Sequence, residues 1–218
     1  FGANNRFANF GAVGAAWLFN NEKLFENTSF LNFGKLRGSY GIAGSDLIGD
    51  YQYLNTFGIS SNRYNDTNTL EPLRLYNPDF SWETNKKLEA ALELEFFNGR
   101  VAPSVSWYRN RSSNQLVGIP LPGTTGFSSV QANLNATVEN SGWEFTLRTK
   151  NIDKGNFQWN TSINVSTPRN RLISFPNLEE STYANQYVIG QPVTIRKVYR
   201  YLGVNSETGL FEFEDVNG

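Results

Sequence analysis

Cysteine, histidine and methionine are all absent from the 218 residues. Without them there is no disulfide staple, no thiolate or imidazole metal site, no Ser-His-Asp or Cys-His nucleophile and no histidine-ligated haem. The redox compartment cannot be read from cysteine usage either. With no Met anywhere and Phe1 in first place, the expectation is a processed chain or part of a longer one. An excess of one charge is also missing: 19 Lys+Arg stand against 20 Asp+Glu, which argues against a nucleic-acid binder held by bulk positive charge. Long apolar runs are lacking too. The stretch from Phe7 to Asn21 is shorter than the ~20 residues a membrane helix needs and contains Asn9, Gly11 and Gly14. A helical membrane protein is excluded. What the chain does have is 15% aromatic residues beside only 18% charged ones, with Asn, Ser, Thr and Gly supplying most of the polarity.

The strongest pattern has a period of two. Leu88, Ala90, Leu92, Leu94 and Phe96 share one parity, and Lys87, Glu89, Glu93 and Glu95 share the other. A strand separates these sets completely. The composition would also suit a helix, but there Glu89 and Glu93 would repel at i,i+4, and the segment runs into Asn98-Gly99, a strong hairpin signal. A two-residue turn at Asn98-Gly99 places Leu94 opposite Pro103, Leu92 opposite Val105 and Ala90 opposite Trp107, so the apolar sets meet. In a second hairpin, Trp143, Phe145 and Leu147 share a parity with Phe157, Trp159, Ile163 and Val165. Matching two odd-numbered sets calls for a three-residue loop, Asp153-Lys154-Gly155, with Gly155 at positive φ; Phe145 then faces Ile163 and Trp143 faces Val165. Lys35 to Ile42 alternates more weakly, and Phe7 to Phe19 reads as a strand with blurred periodicity.

Alternation alone does not say whether the apolar face meets protein or lipid. The runs match the 9–11 residues of a tilted membrane strand, and tight turns at 98–99 and 153–155 alternate with long excursions near 44–80, 118–132 and 172–200. Trp17, Phe19, Trp82, Phe96, Phe97, Trp107, Trp143 and Trp159 lie toward strand ends or within one apolar parity, as interfacial girdles require. The reading is all-β: a fragment of an antiparallel transmembrane β-barrel whose polar parity, including Glu89, Glu93, Glu95, Arg148 and Lys150, lines the lumen. An unclosed sheet in hydrocarbon leaves unpaired edges, so this reading requires further strands in a larger parent.

Several phrases carry a family resemblance: Lys35-Leu-Arg-Gly-Ser-Tyr-Gly-Ile-Ala-Gly44, Asn77-Pro-Asp-Phe-Ser-Trp-Glu-Thr84, Phe97-Asn-Gly-Arg100, Ile119-Pro-Leu-Pro122 before Gly126-Phe127, Val138-Glu-Asn-Ser-Gly-Trp-Glu-Phe145, Phe157-Gln-Trp-Asn-Thr-Ser-Ile-Asn-Val-Ser166, Ile189-Gly-Gln-Pro192 and Gly203-Val-Asn-Ser-Glu-Thr-Gly209. In order and spacing they resemble the barrel domain of SusC/RagA-like TonB-dependent outer-membrane transporters of the Bacteroidetes type. The resemblance implies that residues 1–218 form part of one barrel domain of roughly 22 strands. It implies a plug domain elsewhere in the parent, a SusD-like surface lipoprotein as lid, and TonB-coupled uptake of oligosaccharides or peptides across the cell outer membrane. No cofactor and no bond-making step are implied.

Tyr51, Tyr53, Tyr64 and Tyr76, in the 44–80 excursion, are the candidate substrate-binding residues, since aromatic faces stack on sugar rings or contact a lid protein; the plainer reading is that they pack the loop. The same two readings cover Tyr183, Tyr187, Tyr199 and Tyr201. Asp215-Val-Asn-Gly218 could open a calcium loop, but a polar turn is the better reading. The pairs Glu93/Glu95, Glu179/Glu180 and Glu212/Glu214 do not establish glycosidase geometry, so no catalytic or metal-ligating residue is assigned. The alternative function is a soluble, secreted glycan-binding β-sandwich or propeller, in which Leu92, Val105, Phe145 and Ile163 would form a dry core.

Overall fold

The computed structural model describes residues 2, 4–25, 28–45, 50–51 and 53–214. Six strands form one antiparallel sheet: β1 (Gly11–Leu18), β2 (Leu31–Ser45), β5 (Glu83–Phe96), β6 (Val101–Pro120), β7 (Ser129–Lys154) and β8 (Phe157–Ser174), each hydrogen-bonded to the next in that order. Two ribbons stand apart from it, β3 (Phe57–Tyr64) with β4 (Thr67–Pro72), and β9 (Tyr201–Val204) with β10 (Phe211–Phe213). The sheet does not close; β1 and β8 are its edges.

The first hairpin has the expected register. Ala90 pairs with Trp107 and Leu92 with Val105. Asn98 and Gly99 take φ of 56° and 75°, the double positive φ that a two-residue turn of matching twist demands. Phe97 is also at positive φ (55°), so the strand ends at Phe96, and the ladder resumes at Phe96 opposite Val101.

The second hairpin corrects the sequence reading. Phe145 pairs with Val165 and Trp143 with Thr167, two residues from the expected partners. The turn is Gly155-Asn156, with Gly155 at φ 52°, and the pairing shifts by one between Lys150 and Ile152. Asn151 is therefore a β-bulge that compensates the even turn and restores the shared odd parity. Its side chain ties the bulge down: Thr149 Oγ1 donates to Asn151 Oδ1 at 2.9 Å, and Asn151 Nδ2 donates to Thr161 Oγ1 at 2.6 Å.

Strands run further than nine to eleven residues at one end. The excursion expected at 118–132 is shorter, because β6 continues to Pro120 and β7 begins at Ser129, leaving 121–128 as the connection. Within 44–80 lies the β3–β4 ribbon, turned at Asn65 and Asp66, both at positive φ. β1 is Gly11–Leu18, so Phe7–Phe10 precede it. β1, β5 and β7 end at one end of the sheet, where the tight hairpin turns lie, and β2, β6 and β8 end at the other.

Deleting Asn151 leaves Lys150 opposite Asn160 and Ile152 opposite Trp159 in an unbroken ladder. The expected cost to the parent barrel is about 1–2 kcal/mol for the two side-chain hydrogen bonds. Unfolding of the deletion variant in detergent or lipid checks this, and complete loss of folding would show that the extra residue itself sets the register.

Candidate functional site

The paired register divides the sheet into two chemically opposite faces. One cross-strand row, Trp17–Leu36–Leu92–Val105–Phe145–Val165, is apolar on all six strands. Phe145, Ile163 and Val165 on this face remain 47%, 50% and 51% exposed, since among the described residues no second layer covers them. A sandwich with these side chains in its core would have sealed them. The apolar stretch also drifts from strand to strand. On β2 it runs from Leu36 to Ile42, whose partner on β5 is already Lys86; on β8 it runs from Phe157 to Val165, toward the short turns. Strands tilted against a flat apolar slab produce such a drift.

Aromatic residues bound the slab. At the short-turn end Phe19 sits near Trp17 and Phe25, with ring centroids 5.8 and 5.2 Å away, and Phe30 stacks on Phe96 at 6.1 Å. Phe19 lies against Gly34, where a Cβ would collide with its ring. At the other end Trp107 pairs with Trp143, and Trp143 stacks on Phe145 at 6.3 Å.

The opposite face is polar. Arg37 reaches two carboxylates at once, Nη1 to Glu89 and Nε to Glu93 Oε1 at 2.9 Å, while Lys35 Nζ lies 3.7 Å from Glu93 Oε2. Ser104, Ser106, Thr146 and Arg148 continue the groove beside this network. All three partners of Arg37's network stay about a third exposed, so each pair contributes less than about 1 kcal/mol, and the arrangement serves to fix a charged, wet surface.

Asparagines fasten the long connection before β5. Asn133 Oδ1 accepts from the Ser81 amide at 2.8 Å, and its Nδ2 donates to the Ser81 and Asn114 carbonyls at 2.8 and 3.0 Å. Asn114, at φ 59° in a break of the β6–β7 register, donates from Nδ2 to Ser81 Oγ and to the Trp82 carbonyl. Asn77 Nδ2 reaches the Gln131 carbonyl at 3.0 Å. The Asn77–Trp82 phrase is thus a docked anchor. Neither Asn114 nor Asn133 stands out in so asparagine-rich a sequence; only its positive φ at the register break distinguishes Asn114 from its neighbours.

The four candidate tyrosines are not brought together. The Asn77 amide donates to the Tyr53 carbonyl at 3.0 Å, which sets the Tyr53 and Tyr76 backbones at the base of the β3–β4 ribbon. Tyr64 is at its tip, 79% exposed, and Tyr51 is exposed nearer the base, two residues from Tyr53. Tyr183 and Tyr187 pack the 175–195 segment instead, joining Phe175 against Ala136 and Leu172 on the polar side of β7 and β8. Tyr199 and Tyr201 pack against Phe211 and Phe213 of the second ribbon. Glu212 accepts from Asn205 and Glu214 pairs with Arg200, so this carboxylate pair is engaged in ordinary surface contacts. Among the described residues no group of three or more acidic side chains is arranged to hold a metal, and Asp215–Gly218 lies outside them.

A two-faced antiparallel sheet with aromatic borders is the wall of a membrane β-barrel, and comparison with known proteins agrees. Residues 1–203 match the family model described as TonB dependent receptor-like, beta-barrel; the chain belongs to that family. TonB-dependent receptor P39 of Formosa agariphila is 31% identical over 217 residues, covering 100% of this chain and 20% of the relative. SusC of Bacteroides thetaiotaomicron is 26% identical over 190 residues, 84% of this chain and 19% of the relative. Among solved structures, the RagAB peptide importer in its closed-closed state superposes with a TM-score of 0.84 at 26% identity, covering 100% of this chain and 25% of that one. The chain spans about a fifth of the curated relatives it matches.

Asn133→Ala should release the Ser81 amide, raising its hydrogen-exchange rate by at least tenfold, since about 1–3 kcal/mol of local stability rests on this part-buried polar partner. Arg37→Ala is expected to lower global stability by only about 1 kcal/mol, with the loss shrinking at high salt, as denaturant titrations of the parent at two ionic strengths would record.

Proposed function

We infer that the chain is a section of barrel wall from an outer-membrane nutrient importer that takes up oligosaccharides or peptides by TonB-dependent transport. The observation that carries this reading is the six-strand apolar row ending on exposed edges, Trp17–Leu36–Leu92–Val105–Phe145–Val165, backed by the Arg37–Glu89–Glu93 face. Lipid accepts the first face, and a water-filled lumen accepts the second. Family membership supports the TonB coupling, and the SusC and RagAB relatives support a nutrient cargo and a SusD-like lipoprotein as lid.

On this reading residues 1–218 are one part of the barrel domain, with the plug and the remaining strands in other parts of the parent chain. A wide barrel needs an obstruction to be selective, and the plug supplies it. The wall contributes a polar, laterally charged surface along which solute passes, and no bond is made or broken. The long-loop end is the external one; there the β3–β4 ribbon carries Tyr64 at its tip and Tyr53 and Tyr76 at its base, within reach of cargo or lid. Opposite them, short turns mark the periplasmic end.

In the parent protein, Leu92→Arg or Phe145→Arg should cost about 2–4 kcal/mol at mid-bilayer depth. Ser104→Arg, one residue from Val105 but on the other face, should stay within about 0.5 kcal/mol. Reversible unfolding from lipid vesicles measures both. Equal costs on the two faces, or a parent that stays dispersed without detergent or lipid, would overturn the assignment.

A further inference from the structure

Among the described residues Asn98-Gly99 is the one place where asparagine directly precedes glycine, and the fold sets it at a turn open to water. The Arg100 amide donates to the Phe97 carbonyl at 3.3 Å and closes that turn. Asn98 is exposed, and a Cβ built on Gly99 would meet only Glu95 Oε2, at 3.9 Å, so nothing crowds the Gly99 side of the bond. Such a pair carries its own chemistry. The Asn98 carboxamide carbon can rotate toward the Gly99 amide nitrogen, and glycine, having no side chain, neither shields that nitrogen nor limits the backbone rotation that exposes it.

A second asparagine holds the first. Asn32 Oδ1 accepts from the Asn98 amide at 2.6 Å, and Asn32 Nδ2 donates to Asn98 Oδ1 at 3.0 Å, two bonds that span 66 residues of sequence. Asn32 is available for this because it is a bulge: Leu31 pairs with Phe96 and Phe33 with Glu95, which leaves Asn32 without a partner in β5. Around the clasp the Phe97 amide donates to the Phe30 carbonyl at 2.9 Å, and Phe30 stacks on Phe96 at 6.1 Å, so the start of β2 is pinned beside the turn. The turn does not need the clasp for its shape, since Asn and Gly supply the positive φ values unaided. What the clasp adds is a fixed Asn98 carboxamide.

We propose that Asn98 is a site of spontaneous deamidation and that Asn32 is the residue that restrains it. In the reaction the Gly99 amide nitrogen gives up its proton to solvent and bonds to Asn98 Cγ. The bond from Cγ to Nδ2 breaks, and Nδ2 takes a proton from solvent and leaves as ammonia. The resulting succinimide ring adds one water at either carbonyl, giving aspartate or isoaspartate with no oxidant or reductant involved. While Asn32 holds both the Asn98 amide and Oδ1, Cγ is kept from the Gly99 nitrogen; the reaction runs from the opened clasp, so its rate follows how often the clasp opens. Isoaspartate lengthens the main chain by one atom at a turn whose residue count sets the β5–β6 register, so the damage falls on the hairpin itself. A chain in which β2 and β5 have not yet paired has no clasp, and there the site reacts fastest.

The test incubates the full-length parent, folded in lipid vesicles, in mildly alkaline buffer and follows the peptide that spans the turn by liquid chromatography and mass spectrometry, which separate asparagine, aspartate and isoaspartate at 98. The folded wild type should convert at least tenfold more slowly than the same protein unfolded in guanidinium. Folded Asn32→Ala should convert at least threefold faster than folded wild type. Thr161→Ala, which frees the other bulge asparagine, Asn151, should leave the rate at Asn98 unchanged. Asn156, exposed at the β7–β8 turn but followed by Phe157, should stay intact in every folded sample. If Asn32→Ala does not fold, Asn32→Ser, whose side chain is too short to reach Asn98 Oδ1, should raise the rate at least twofold. Equal conversion in folded and unfolded wild type, an unchanged rate in folded Asn32 variants, or conversion at Asn156 matching that at Asn98 overturns the proposal.

Discussion

A peptide group placed in hydrocarbon has no water to fall back on, and each one left unpaired costs several kcal/mol. The six-stranded ladder answers that demand across its interior, and every other feature is fitted to it. Hairpin turns, bulges and strand lengths all keep the backbone paired while holding side-chain parity fixed. The edges at β1 and β8 remain open in this sheet, which is why a wall of this kind is stable only as part of a closed cylinder. At the long-loop end β8 already borrows a partner, since the Leu172 amide donates to the Gln191 carbonyl and the Gly190 amide to the Leu172 carbonyl.

Parity then converts one backbone into two surfaces. Leu92 and Glu93 are neighbours in sequence yet face media as different as hydrocarbon and water. Because the separation is strict, a single inserted residue would exchange the faces unless something absorbed it, and Asn151 shows how the strand does so. The same device recurs toward the long-loop end, where β7 carries one extra residue opposite Asn114 of β6 and Ile173 falls in a register shift of β8. These bulges lie at the margins of the apolar slab, where water can satisfy the disrupted ladder.

Much of this was legible before the fold was known, and the misses have physical causes. Asn98-Gly99 fixed the β5–β6 register because both residues tolerate positive φ and the parities had to switch across an even turn. The β7–β8 turn was misread because two odd parities were assigned to an odd loop, when a bulge satisfies them equally well and leaves no mark in the hydrophobic pattern. The connection at 121–128 was expected to be longer, 118–132, because the alternation fades at its flanks; outside the slab both faces of a strand are wet, so polarity no longer reports pairing. The asparagine anchor at Ser81 escaped notice for a related reason: hydrogen-bonding side chains have no periodicity. Tyr183 and Tyr187 proved to be packing residues, whereas the four tyrosines around the first ribbon remain candidates by position alone.

The central claim is that Leu92 and its row face lipid while Glu93 and its neighbours face water. Because this segment contains no native cysteine, single thiols report it directly in a cysteine-free parent reconstituted in vesicles. Leu92→Cys, Val105→Cys and Phe145→Cys should resist a membrane-impermeant maleimide and react with a lipid-soluble one. Glu93→Cys, Ser104→Cys and Thr146→Cys should do the reverse. Aqueous labelling of the Leu92 row, or protection of that row from both reagents, would contradict the account.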